Sequence, residues 1–536
     1  MSENVLRIIA TVFSAGLFTM CTWKLLGAMQ QSGYKNGVFW RWLRKKDNLF
    51  YNRLTVYALC LVLTTAVASL CFSFLGTRTA LICSAVAFIG CGVWFCYADE
   101  KYALKIPVNP TGRVVRLTIV YAFLIACVSY LVIGVLALLS KINGSQLYAL
   151  VAYVPFAVMP LLLPMLLCVA NALTGVFENT HNKKFVKRMG QVLDESKIIR
   201  VGVVGSYGKT SVKNILQTIL LEKYSDSVMA TPASYNTPIG VAKTVQDPAF
   251  QEKQVLIAEM GARKAGDIAQ LCQMVKPNYA IFTGVCEQHI ESFGSIEKVW
   301  KAKSEIFDCT EKVVCGKSLQ AWLEQDERIE KQKAIFQNGV EVKEIKLGAT
   351  QTSFLLCVDG KEFTVTTKLL GNGAVENIFL SAMLAYEMGL TGEEIARGVA
   401  KLEYIPHRLQ LLEKNGVYIL DDGYNCNPKG AEESLAALAR FAGKKCLVTP
   451  GIVECGVLEE KINGELGEKI AKYGFDKVVL VGDTLVGAVK AGYQKANGDE
   501  SRLSVARTLD DAAASLGEWL QAGDAVLFLN DLPDVY

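Results

Sequence analysis

The sequence predicts a multi-pass α-helical membrane region followed by α/β structure, in which a P-loop central domain precedes a Rossmann-like C-terminal domain. Three observations carry this. Long apolar runs fill the chain up to about Phe177, and charged residues become frequent only after it. The stretch RVGVVGSYGKTSVKNIL (200–216) reads as a buried strand, a tight glycine turn bearing Lys-Thr, and a helix. From about residue 404, strand-like runs (GVYILDD, KCLVTPG, KVVLVG, AVLFLND) alternate with helix-like segments. The expected division is 1–180 for a transmembrane region of about five helices, 195–403 for the central domain and 404–536 for the C-terminal domain.

Composition agrees with a mixed chain. At roughly 100–200 residues per domain, 536 residues suit three or four domains. A mean hydropathy of +0.27 is high for a soluble protein, and a net charge of +4 points to no nucleic-acid partner. Of the sixteen cysteines, eight lie at or before Cys168 and eight from Cys272 onward, and no CxxC pair occurs. That excludes a zinc ribbon or thioredoxin-like motif and predicts reduced, packed thiols in a cytosol-facing protein. There is no internal repeat.

A spanning helix needs about 20 apolar residues. Five stretches qualify, near 4–23, 53–76, 79–98, 117–140 and 146–176. The first lacks the basic cluster and cleavage site of a signal peptide, and more spans follow it. Basic residues alternate between loops. Lys24, Lys35, Arg41, Arg44, Lys45, Lys46 and Arg53 crowd the first, and only Arg78 lies in the second. Lys101, Lys105, Arg113 and Arg116 occupy the third, Lys141 the fourth, and Lys183, Lys184, Lys187 and Arg188 follow the last span. The rich loops and the C-terminal half are therefore expected in the cytosol, with the chain in a bacterial plasma membrane. Spans two to five have no Asp, Glu, Lys, Arg or His in their cores, which favours an anchor or lipid platform over a transport path. Pro155, Pro160 and Pro164 predict a kinked or broken fifth span.

The loop Gly205-Ser206-Tyr207-Gly208-Lys209-Thr210-Ser211 is a candidate cradle for ATP phosphates. Its glycines turn backbone N–H groups toward an anion, and the helix N-terminus adds a positive dipole end. Lys209 would reach the outer phosphates, and Thr210 would coordinate Mg²⁺. Val203 stands where the full P-loop pattern has its first glycine, so the loop alone also fits an ordinary glycine-rich β–α turn. Glu259 and His289 each follow a further apolar run, at strand ends where α/β sheets bind ligands. The chain has three histidines, and a lone one is usually structural or at the surface. The position of His289 after a strand moves its reading toward a metal ligand.

The loop, EMGARKAGDI (259–268) and HIESFGSIEKVWKAKSEIF (289–307) resemble the Mur ligase family. So do TPASYNTPIGVAKTV (231–245), ENIFLSAMLAYEMGL (376–390), YIPHRLQ (404–410) and LDDGYNCNP (420–428), in the family's order. The resemblance covers about 195–430 and is nearest to the branch that adds D-alanyl-D-alanine to a UDP-muramoyl tripeptide. It implies ATP and Mg²⁺, an acyl phosphate made from a substrate carboxylate, and amide formation with an amino acid or dipeptide. It also implies roles. Thr210 and Glu259 match the first Mg²⁺ site and His289 a ligand of the second. Lys303 matches a lysine that family members carry as a carbamate, although by itself it reads as a solvated helix lysine. Asn377 matches the adenine contact, Arg408 the arginine that closes the C-terminal domain on the nucleotide, and Asp422, Tyr424 and Asn425 the segment near ribose and acyl phosphate. Asn236 and Thr237, with Tyr424 and Asn425, are the candidate substrate contacts.

Three departures bear on the substrate. The family's soluble UDP-sugar domain has no counterpart between the membrane region and the loop, which makes a lipid-linked acceptor the alternative. The family's G-x-H-N-x-x-N stretch reads GNGAVEN (371–377), with Gly373 and Ala374 in place of His and Asn. VTPGIVECGVLEE (448–460) and the C-terminus differ from the dipeptide-binding region. The reading is thus a membrane-anchored, ATP-dependent amide ligase of cell-wall precursor synthesis. A lipid-linked or non-peptidoglycan acceptor such as polyglutamate is the alternative, and an ATP-driven transporter or non-catalytic regulator the third class.

Overall fold

The computed structural model describes residues 3–44, 50–75, 86, 88–97, 108–143, 153–287, 290–424, 426–453, 455–482, 485–517 and 519–529. Contacts divide the chain into two units, one up to Asn182 and one over Lys183–Leu532.

The first unit is helical. It contains α1 (Glu3–Cys21), α2 (Trp23–Gln31), α3 (Asn36–Leu43), α4 (Phe50–Leu75), α5 (Phe88–Tyr97), α6 (Gly112–Asn143) and the start of α7 (Tyr153–Glu195). Phe18, Leu25, Met29, Tyr57, Tyr121 and Leu163 form its core. Ile119, Phe123 and Leu131 on α6, and Met165, Leu173 and Val176 on α7, stay exposed. Among the described residues, two helical segments, Gly112–Val135 and Met159–Glu195, are long and apolar enough to cross a membrane. The bent pair α1–α2 would add a third if it were one span, turning by 52°. The search also finds shorter apolar segments within the second and third candidates, Arg53–Thr64 and Phe88–Tyr97, and parts of the second, third and fifth of the five expected spans lie outside the described residues. The α1–α2 bend falls at Thr22, whose hydroxyl donates to the Phe18 carbonyl at 2.7 Å, a back-bond that bends helices. Of the kink or break expected in the last span, a break is absent from the described residues. α7 runs on through Pro160 and Pro164, whose spacing of four puts both lost N–H groups on one face.

The second unit holds three sheets. The first has the order β2-β3-β1-β4-β5-β6 and is parallel throughout. Its strands are β1 (Ile199–Val204), β2 (Val228–Ala230), β3 (Val255–Glu259), β4 (Tyr279–Phe282), β5 (Lys312–Cys315) and β6 (Ala334–Ile335). The central strands β1 and β3 are buried on both faces, as their β-branched runs require. The chain leaves β1 to build one side through β2 and β3 and the other through β4, so β1 stands at the switch point. Val203 pairs with Glu259 and Val204 with Phe282, so the ends of β3 and β4 flank the turn after Val204. Around this sheet lie α8 (Lys209–Tyr224), α9 (Pro238–Gln246), α10 (Asp267–Val275), α11 (Ile296–Lys303) and α12 (Gly371–Glu387).

The second sheet is antiparallel, β7 (Val340–Leu347), β8 (Thr352–Val358) and β9 (Lys361–Thr367). Its β8–β9 turn places Asp359 and Gly360 at φ +50° and +76°, the conformation an Asp-Gly hairpin favours. The third has the order β10-β11-β15-β12-β13-β14. The four expected strands appear as β11 (Val417–Asp422), β12 (Lys445–Thr449), β13 (Lys477–Val481) and β15 (Ala525–Leu529). β10 (Gln410–Lys414), antiparallel to β11, and β14 (Leu503–Ala506) complete it. Helices α13 (Pro428–Leu438), α14 (Glu459–Tyr473) and α15 (Val486–Lys495) pack beside it.

One cysteine expectation is corrected. Cys272 of α10 and Cys309 are bonded as a disulfide, with Cα atoms 6.1 Å apart. The fold brings together residues 37 apart in sequence, which no CxxC search detects.

Glycine lets α14 and α15 approach at backbone distance. A Cβ on Gly467 would lie 2.0 Å from the Val489 carbonyl oxygen, whereas one on Gly464 would meet nothing nearer than 4.0 Å. Gly467→Ala is therefore expected to destabilise by about 1–3 kcal/mol. Gly464→Ala should be neutral or stabilising by up to about 1 kcal/mol. Denaturant melts of the two variants check the contrast, and equal effects would refute it.

Candidate functional site

The turn between β1 and α8 is shaped by close approach. Gly205 has φ +155°, and a Cβ there would lie 1.9 Å from the Thr283 hydroxyl. Gly208, at φ +72°, caps α8, and a Cβ there would lie 2.6 Å from Asn377 Oδ1. Two lysines converge on one carbonyl. Lys209 Nζ donates to Gly205 O at 2.8 Å and Lys303 Nζ donates to the same oxygen at 3.0 Å. The Ser206 hydroxyl is buried there with no hydrogen-bond partner among the described residues. Cationic side chains, an unpaired hydroxyl and a turn that admits no side chain fit a polyphosphate.

Beside it lies a carboxylate. Glu259, at the end of β3, is 2% exposed. Its Oε2 accepts from Thr210 Oγ1 at 3.0 Å and its Oε1 from Asn236 Nδ2 at 3.3 Å. Lys213 Nζ stands 3.5 Å from Oε2. One carboxylate and one hydroxyl next to a phosphate cradle suit Mg²⁺, which usually binds one or two carboxylates with phosphates and water. No group of three or more His, Cys, Asp or Glu side chains able to hold a metal occurs among the described residues. His289 and Asn425 lie outside the described residues.

Burial acts on the lysines. It lowers Lys303 well below its ordinary value of 10.5, reinforced by the nearby charge of Lys209. It also lowers Lys209, an effect Glu259 opposes. Burial raises the Cys286 thiol, next to both, to about 12, so it is no thiolate nucleophile.

A cleft runs from this turn between α12 and the C-terminal sheet. Tyr207, Ser211, Asn377, Arg408, Asp422 and Tyr424 line it. Arg408 Nη1 donates to the Tyr424 carbonyl at 2.6 Å, with its guanidinium 4.7 Å from that ring. Asp422 accepts from Leu409 N at 3.1 Å and Ser434 Oγ at 2.6 Å, and burial raises its pKa. The Tyr424 hydroxyl donates to Ser234 Oγ at 3.0 Å.

The structure thus gathers Lys209, Thr210, Glu259, Asn236 and Lys303 at the loop, and Asn377, Arg408, Asp422 and Tyr424 along the cleft. Thr237 follows Asn236 directly in the chain. Its hydroxyl accepts from Gly240 N at 3.2 Å and caps α9. Sequence reasoning missed Lys213, and it missed Lys429, which bonds Glu376 at 2.9 Å and the Tyr207 hydroxyl at 3.1 Å. Lys213, four residues after Lys209, looked like one more helix lysine among apolar neighbours. Lys429 carried no local signal.

Comparison with known proteins follows the same ground. The Mur ligase middle domain matches residues 203–385, and the Mur ligase, glutamate ligase domain matches 407–530. The chain is similar to the UDP-N-acetylmuramoyl-tripeptide–D-alanyl-D-alanine ligase of Escherichia coli, at 30% identity over 298 residues, 53% of this chain and 64% of that one. It therefore spans just under two thirds of that relative's length. The Bacillus subtilis protein of the same name is 27% identical over 61% of this chain and 72% of its own. Among solved structures, a MurF ligase from Thermotoga maritima in complex with ADP is similar, with TM-score 0.58 and 27% identity, covering 66% of this chain and 81% of that chain.

The lowered pKa of Lys303 has a measurable consequence. Between the folded value and 10.5, the unfolded chain holds a proton that the folded chain does not. Folding is thus penalised as pH falls, and the penalty fades as pH rises to 10.5. Stability of the wild type relative to Lys303→Met should climb with pH in carbonate-free buffer, by at most about 1.4 kcal/mol per pH unit. A pH-independent difference would mean Lys303 titrates as an exposed lysine does.

Proposed function

Because the chain belongs to the Mur ligase family, we propose that it is an ATP-dependent ligase joining a muramoyl-peptide carboxylate to a D-alanyl-D-alanine-type amine. The observation that carries this is the convergence of Lys209 and Lys303 on the Gly205 carbonyl beside the Thr210–Glu259 pair. A substrate carboxylate oxygen attacks the γ-phosphorus of ATP and ADP leaves, giving an acyl phosphate. The amine nitrogen then attacks the acyl carbon. Phosphate leaves with the electron pair of the broken C–O bond, and the nitrogen loses a proton. Catalysis of this kind is alignment and charge neutralisation.

The chain's residues divide the work. Lys209 and the backbone N–H groups of the turn bind the outer phosphates. Thr210 and Glu259 would hold Mg²⁺, which supplies further neutralisation of phosphate charge when bound. Asn377 and Arg408 hold the nucleoside side of the cleft, and Asp422 orders the segment reaching Tyr424. Asn236 lies on the acceptor side. The neutral amine that burial favours at Lys303 is the form that adds CO₂. Its nitrogen bonds the CO₂ carbon and releases a proton, leaving a carbamate anion that would serve as a metal ligand with His289.

The membrane reading remains part of the proposal. Two long apolar helices with exposed apolar faces support an anchor in the plasma membrane, with catalysis in the cytoplasm. They also support a second reading in which the acceptor is lipid-linked.

Purified protein given ATP, Mg²⁺, D-alanyl-D-alanine and either UDP-linked or lipid-linked muramoyl tripeptide should release phosphate and form the amide. No acceptor-dependent phosphate would end the ligase reading, and product from the lipid-linked acceptor alone would replace the first reading with the second. Lys209→Met should lower kcat by about 10²-fold or more. Lys303→Ala should lose comparable activity and regain part of it with formate or acetate; unchanged activity would remove the carbamate.

A further inference from the structure

Lys213 is 1% exposed, and a lysine is almost never buried without partners. It projects from α8 one turn beyond Lys209. Its ammonium donates to the Thr231 carbonyl at 2.7 Å and to the Ala233 carbonyl, and lies 3.5 Å from Glu259 Oε2. Three donors thus meet three acceptors, all outside α8.

The segment these contacts hold is shaped against its own preference. Ala233 has φ +43°, a left-handed conformation that costs an alanine about 1–2 kcal/mol. Around it, Tyr235 N donates to Pro232 O at 3.0 Å, and Glu259 N donates to Thr231 Oγ1 at 3.1 Å. Asn236 closes the circuit, donating to Glu259 Oε1 at 3.3 Å while its carbonyl accepts from Gly261 N at 2.8 Å. Ser234, at the crest, accepts from the Tyr424 hydroxyl of the C-terminal domain at 3.0 Å. Without the ammonium, two carbonyls would lose their partner and a buried carboxylate its counter-charge, each costly in a dry interior.

We propose that Lys213 is a positioning residue that locks segment 231–236 onto Glu259, so that the helix carrying Lys209 and Thr210 also fixes the acceptor side of the site. Naming that side for the acceptor rests on the ligase reading; the lock itself does not. Lys213 touches neither phosphate nor acceptor and acts through Glu259, Asn236 and Ser234.

The test is hydrogen–deuterium exchange on the full chain in detergent, with Lys213→Met and the milder Lys213→Gln. Amides of 231–237 should exchange at least about tenfold faster in Lys213→Met, with β1 and β4 unchanged. Binding of Mg²⁺·ADP should stay within about threefold of wild type. In the ligase assay the acceptor KM should rise at least about tenfold while the ATP KM barely moves. If Lys213→Met exchanges fast everywhere, it has unfolded and Lys213→Gln decides by the same criteria. Unchanged exchange over 231–237 in a folded variant, or acceptor and ATP KM rising together, would overturn the lock. A wild type with no ligase activity but a segment freed by Lys213→Met would sink the ligase reading and leave the lock standing.

Discussion

Two lysine nitrogens on one carbonyl oxygen set the terms for the rest of the second unit. Gly205 O accepts from both Lys209 and Lys303, each drawn out of water. Charging both at once sets like charges side by side, and burial adds a desolvation cost to each, so Lys303 is pushed toward its neutral form. Glu259 favours the charged form of Lys209 but is itself engaged by Thr210, Asn236 and Lys213. The parallel sheet makes this arrangement possible: the β1–β3 and β1–β4 registers bring the Glu259 and Thr283 ends beside the turn. Thr283 then occupies the space a side chain at position 205 would need.

How much of this was legible depended on how local each cause is. The strand–turn–helix of 199–224 could be read because a glycine turn, its lysine and the apolar face of α8 are written in consecutive residues. Glu259, Asn377, Arg408 and Tyr424 were readable through ordered motifs. Lys303 was not readable on chemistry alone, because its burial comes from elements distant in the chain. The β7–β9 sheet was missed although Asp359-Gly360 marks its turn, since its flanking runs mix charged and apolar residues. Lys213, Lys429 and the Cys272–Cys309 bond depend on neighbours set by the tertiary fold. The bend at Thr22 was not legible either, because hydropathy sees a run of residues and not its direction.

The C-terminal domain meets the central domain through polar contacts at several points. Arg408, just after the left-handed His407, bonds the Tyr424 carbonyl, and Tyr424 reaches Ser234. Glu433 accepts from the N–H groups of Asn372 and Gly373 at the start of α12. A Cβ on Gly371 would lie 3.2 Å from that carboxylate, so glycine there leaves it room to complete the helix cap.

Lys429 joins α13 to both Glu376 and Tyr207, and its strength decides how the cleft behaves. The lysine is 42% exposed and its carboxylate 29%. Ion pairs this wet contribute about 0–1 kcal/mol. A clasp of that size biases a two-state equilibrium by less than about one order of magnitude. Lys429 alone is therefore a weak clasp, and the Tyr424–Ser234 and Glu433 hydrogen bonds share the hold between the two walls.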